Sequence, residues 1–197
     1  MCSPTMPRNK DRFYLSLYTR AASTKPVMPG KEDKYHWAFL VGPKHENKSS
    51  QGTKCHAKDV VIIDETKDKD TIRTEYHFEE RKVWLTAVDM IVVRLLLGKV
   101  HDKERLMDVL RGTRVKKHSD AGGWNSVSWT KDVLDRLTRE DGILGASVID
   151  WETVRHSALW YTEEKTAQHR FDGKAIGTFD KTKVPTWDLV NDIELEP

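Results

Sequence analysis

The chain has 197 residues, 38% of them hydrophobic, which is enough for one compact domain with a substantial core and too few for two comfortable ones. Lys plus Arg (33) nearly balance Asp plus Glu (31), and the net charge of +2 excludes a charge-driven nucleic-acid binder. No apolar run approaches the ~20 residues of a membrane span, and the N-terminal "MCSPTMPRNKDR" lacks the apolar stretch of a signal peptide. A soluble cytoplasmic protein without a membrane anchor is therefore expected, with Cys2 and Cys55 as reduced thiols too few for a disulfide framework.

Residues 1–11 read as a disordered tail, after which "FYLSLYTR" (13–20) combines apolar and polar residues at a period near two and reads as a strand. "AASTKPVMPGKEDK" is a loop by its Pro, Gly and Ser content. "YHWAFLVG" (35–42) is a second strand, stopped by Gly42 and Pro43. A polar reversal leads into a third strand, "TKCHAKDVVIID" (53–64), expected antiparallel to the second. "ETKDKD" reads as a charged turn, and "IRTEYHFEERKVW" and "MIVVRLLLGKV" as further strands, although the length of the latter also permits a helix.

The pattern then turns helical. "DKERLMDVLRG" starts near Asp102 and ends at Gly112, "WNSVSWTKDVLDRLTRE" ends before Asp141 and Gly142, and "IDWETVRHSALWYTEEKTAQHR" takes Asp150 as N-cap. The remainder is loop-like and acidic at its end. Strands followed by helices predict an α+β fold, with one domain over 12–175 and a C-terminal extension over 176–197.

Of eight histidines, His36 and His56 stand out because they lie on neighbouring predicted strands. Alternation puts His36 on one face with Ala38 and Leu40, opposite Tyr35, Trp37 and Phe39. Two such imidazoles can come within hydrogen-bond reach, one acting as base while the other fixes its tautomer. The alternative is that each satisfies a local hydrogen bond. Ser126 is the third candidate, since a helix start offers free N–H groups and a positive dipole end to a developing anion. Asn and Ser are equally favoured as caps, so "NS" serves either role. Cys55 is a poor substitute nucleophile because alternation points it away from His56. A metal site from His36, His56 and Asp59 has suitable donor types but no specific spacing, so no metal or cofactor is expected.

Taken together, "HWAFLVG", "CHAKD" and "WNSVSWTKDVL" resemble the motifs of lecithin:retinol acyltransferase-like proteins and related phospholipase/acyltransferases, over residues of about 13–140. In the order His, His, nucleophile the chain is similar to circularly permuted papain-like proteins of the cell-wall-peptidase superfamily. The resemblance implies an antiparallel sheet packed on helices, His36 as base, His56 as its assistant and residue 126 as nucleophile, following Asn125. It departs from the pattern at one point: the enzymatic relatives have Cys where this chain has Ser126. A hydroxyl needs proton removal during attack and a well-built oxyanion hole, whereas a thiolate forms readily beside imidazole. A serine nucleophile, a site that has lost covalent catalysis and an engineered Cys-to-Ser replacement all fit. The whole chain also resembles uncharacterised small proteins of filamentous fungi.

The expectation is an enzyme acting on a small-molecule or carrier-bound acyl group, by acyl transfer, hydrolysis or acid/base chemistry, with natural-product biosynthesis as the setting that the fungal resemblance implies. Its site would comprise His36, His56, Ser126 and Asn125, with Trp37, Trp124 and Trp129 lining an apolar pocket. A noncatalytic binding protein that keeps the fold is the competing expectation.

Overall fold

The computed structural model describes residues 10–20, 26–64, 71–87, 90–116, 123–175 and 178–197. Most of the tail expected over 1–11 and the "ETKDKD" turn lie outside them. The architecture is α+β. Strands β1 (Arg12–Thr19), β2 (Tyr35–Gly42), β3 (Gln51–Asp64), β4 (Thr71–Trp84) and β5 (Ile91–Val100) precede helices α1 (Lys103–Gly112) and α2 (Ser126–Leu137). Strand β6 (Leu144–Ser147), helix α3 (Trp151–Ala167) and strands β7 (Thr186–Asp188) and β8 (Ile193–Glu196) complete the described elements.

All eight described strands join one mixed sheet, ordered β4-β3-β2-β1-β5-β7-β8, with β6 also paired to β5. β1 is central, antiparallel to both β2 and β5, and every residue from Phe13 to Tyr18 is buried. Its two faces differ in chemistry. Phe13, Leu15 and Leu17 join the main core, while Tyr14, Ser16 and Tyr18 face the other way, as strand alternation requires. "MIVVRLLLGKV" is a strand: Leu95 and Leu97 are fully buried in the main core and Leu96 packs in a second cluster, the two-sided burial that makes such a run continuously apolar.

The helices cover one face. Val127, Trp129, Val133, Leu134 and Leu137 of α2 recur at helical spacing and pack with Trp37, Phe39 and Cys55. Leu106, Val109 and Leu110 of α1 and Val154, Ala158 and Tyr161 of α3 extend the same core. Asp102 accepts from the Arg105 N–H at 3.0 Å and Asp150 from the Thr153 N–H at 2.9 Å, so both carboxylates cap helix starts where the dipole favours them.

The chain's last part corrects the reading. Residues expected to be a loop-like extension supply β7, parallel to β5 along Arg94–Leu96, and β8, antiparallel to β7. These strands have only three and four residues and are interrupted by Asp and Glu, so their length and acidic content hide them from a local reading. What holds them is tertiary: Glu194 meets both Tyr161 Oη (2.7 Å) and Lys165 Nζ (2.6 Å) of α3.

Candidate active site

β2 and β3 pair only from Phe39↔Cys55 to Val41↔Thr53, and toward Tyr35 no further pairing holds them together. The start of α2 enters that region. The Trp37 N–H donates to Ser126 Oγ at 3.3 Å, and Arg20, just past the end of β1, donates to the same oxygen at 3.4 Å. Trp37 directly follows His36, so the Ser126 hydroxyl stands against the backbone of the strand that carries the first histidine.

His36 and His56 meet across the same region. His36 Nε2 lies 2.6 Å from His56 Nδ1, and His56 Nε2 lies 2.9 Å from Glu79 Oε2. Glu79 comes from the register position opposite His56 on β4 and also accepts from Lys58 at 2.7 Å. Partial burial raises the Glu79 carboxyl's pKa, but hydrogen bonds from Lys58 and His56 outweigh it and hold the group at about 2. It is therefore an ionised, acceptor-only group at neutral pH. Burial and the nearby Lys54 lower His56 to about 4 against the pull of Glu79, so His56 is neutral.

The tautomers follow from these charge states. A carboxylate that can only accept requires the proton on His56 Nε2, which leaves His56 Nδ1 as an acceptor. The 2.6 Å contact then requires the proton on His36 Nε2. His36 is itself held well below its ordinary pKa by burial, then by His56, Lys54 and Arg20, so it too is neutral and its Nδ1 carries a lone pair. Among the described residues that nitrogen makes no hydrogen bond.

Asn125 is a cap. Its Oδ1 accepts from the N–H groups of Val127 (2.9 Å) and Ser128 (3.4 Å), the Ser128 hydroxyl returns to the Asn125 N–H, and its Nδ2 donates to Gly123 O and Met28 Sδ. The Asn125 side chain, expected as part of the site, is thus committed to starting the helix. Ser126 is the first helical residue and is fully buried. The three tryptophans are buried core residues. Trp37 donates to Glu32 O and lies tilted against Trp151, Trp129 packs on Phe39 and Phe78, and Trp124 meets Tyr76 edge-on, all within the core. Cys55 is a core residue on the face opposite His56, its thiol pushed up to about 12 by burial and Glu80. Among the described residues no group of three or more His, Cys, Asp or Glu side chains gathers as a metal site, and no helix is long and apolar enough to cross a membrane.

A family model for a family of unknown function, DUF6914, matches residues 10–195. The chain belongs to the DUF6914 family. Neither the curated proteins nor the solved structures contain a match. In this DUF6914 chain, sequence reading missed two polar partners of the site, Glu79 and Arg20. Glu79 was within reach: counting back along the hairpin from Trp84 opposite Gln51 places it across from His56. Arg20 reaches Ser126 over 106 residues of sequence, and no local pattern announces such a contact.

Proposed function

We propose that this protein is a hydrolytic or acyl-transferring enzyme for a small acyl-bearing substrate, built as a circularly permuted papain-like α+β domain, with His36 Nδ1 as its general base. The observation that carries this reading is the Glu79–His56–His36 relay, which ends on an unprotonated ring nitrogen. In the step we envisage, a water oxygen bonds to the acyl carbonyl carbon while its proton passes to His36 Nδ1. The same proton then moves to the leaving group as the carbon–heteroatom bond breaks. Glu79, acting through His56, orients the imidazole and stabilises its transient positive charge. Arg20 supplies a cation for the developing oxyanion. The order His36, His56, Ser126 and the resemblance to acyltransferases support an acyl group as substrate.

The burial of Ser126 favours water over the serine as attacking group, with its hydroxyl fastening α2 to β2. One observation favours a covalent alternative: the Trp37 N–H and the Arg20 guanidinium both donate to Ser126 Oγ, as they would to an alkoxide. Turnover of a panel of acyl esters and amides, with intact-mass analysis after fluorophosphonate treatment, tests both readings. His36→Ala should lose ~10²- to 10⁴-fold in rate, Ser126→Ala should retain most turnover, and no adduct should form. An adduct on Ser126 with loss of turnover in Ser126→Ala would move the chemistry to the covalent route. Equal turnover in wild type and His36→Ala would sink the enzyme reading and leave a binding protein.

A further inference from the structure

The sheet face away from the helices carries a second polar centre near the opposite end of β1. Arg94 of β5 is 5% exposed, lies over the Tyr14 ring with its guanidinium carbon 4.8 Å from the centroid, and donates from Nε to Thr186 Oγ1 at 2.7 Å. Its Nη2 is 2.9 Å from Glu46 Oε2, but its Nη1 is buried without a hydrogen-bond partner. Leaving a donor of a buried cation unsatisfied is costly, and such a group calls for an explanation.

Arg94, Tyr14 and Glu46 line a cavity of about 340 Å³, a volume suited to a small-molecule ligand. Leu85, Val184 and Leu195 give it apolar wall, while Lys44 and Lys48 stand exposed on its β2–β3 loop side. Lys183 is paired with Glu196 at 2.6 Å, and Asp180 is the remaining acid in the lining. Glu46 comes from the same loop as the two lysines and is held by Arg94 and, at 3.4 Å, by the Tyr14 hydroxyl. The chain's own carboxylate thus occupies one prong of the guanidinium fork and leaves the other empty.

We infer that this cavity binds a small molecule bearing a carboxylate on an apolar body, the carboxylate displacing Glu46 and engaging both Nη1 and Nη2 of Arg94. A guanidinium fork matches a carboxylate in two parallel hydrogen bonds, which a single Glu46 oxygen does not supply. The apolar walls receive the ligand's body, and Lys44 and Lys48 favour an anion at the entrance. The inference is independent of the His36 chemistry, since it uses none of the same residues.

Titration calorimetry of the whole chain with benzoate and its neutral isostere benzamide, at fixed ionic strength, tests this site. Benzoate should bind saturably and benzamide at least tenfold more weakly. Removing the internal competitor in Glu46→Ala should tighten benzoate several-fold, and Arg94→Lys, which keeps the charge but loses the fork, should weaken it about tenfold. Should Arg94→Lys not fold, the Glu46→Ala comparison remains decisive. Benzamide binding as tightly as benzoate, or Glu46→Ala binding benzoate no better than wild type, would overturn the assignment.

Discussion

His56 links the site to the protein's acid stability. Its pKa falls from the ordinary 6.5 to about 4 in the fold, so the unfolded chain binds more protons between those values. The corresponding stabilisation is present above about pH 6.5 and is lost as pH falls toward about 4, on the order of 3 kcal/mol for this group. His36, lowered in the same direction, adds to the loss. Urea denaturation at pH 7 and pH 4.5 should show the drop, and His56→Gln should flatten the dependence; an unchanged slope in that variant would contradict it. Cys55 makes a second residue-level prediction. A thiol pushed up to about 12 and fully buried should resist alkylation in the folded protein and react on unfolding. Peptide mapping after iodoacetamide treatment reads this directly, and native labelling of Cys55 would be the contrary result.

At the level of elements, the site depends on where pairing stops. β2 leaves β3 beyond Phe39, and α2 begins against the freed backbone of Trp37. The cap at Asn125 sets that beginning, so Asn125→Ala should cost about 1 kcal/mol by thermal or chemical melting. A loss below the error of the measurement would mean that packing of Trp129 and Val133 alone fixes the helix. Much of this was legible in the sequence. "YHWAFLVG" and "TKCHAKDVVIID" read as neighbouring antiparallel strands, and Asp102, Asp150 and the "NS" pair marked helix starts, because alternation and capping are local signals. The role of Ser126 was not legible. Whether a hydroxyl at a helix start is reached by solvent depends on Arg20 and on the strand it abuts, and neither is near it in sequence. The tryptophans misled for a related reason: their proximity in sequence to the candidate residues says nothing of the face they occupy. All three turn into the helical side.

For the whole molecule, the sheet divides two kinds of chemistry. Its helical face is a continuous apolar core, and its other face buries Tyr14, Ser16, Tyr18, Lys54, His56 and Arg94 around a small apolar cluster. The C-terminal strands close the sheet beyond β5, which no periodicity in "VPTWDLVNDIELEP" foretold. Their removal tests whether they belong to the domain. Truncation after Lys183 takes away Glu194 and leaves Lys165, 2% exposed, without its carboxylate. A loss of roughly 3–5 kcal/mol or an insoluble product is expected, whereas a dispensable extension would leave the melting transition unchanged.

The direction of the proton relay is measured, without a substrate, by nitrogen NMR of the imidazole side chains in the uniformly labelled protein at pH 7. His36 and His56 should both be neutral and both protonated at Nε2, with His36 Nδ1 bare. A His36 that carries its proton on Nδ1, or that is an imidazolium at that pH, would contradict that direction.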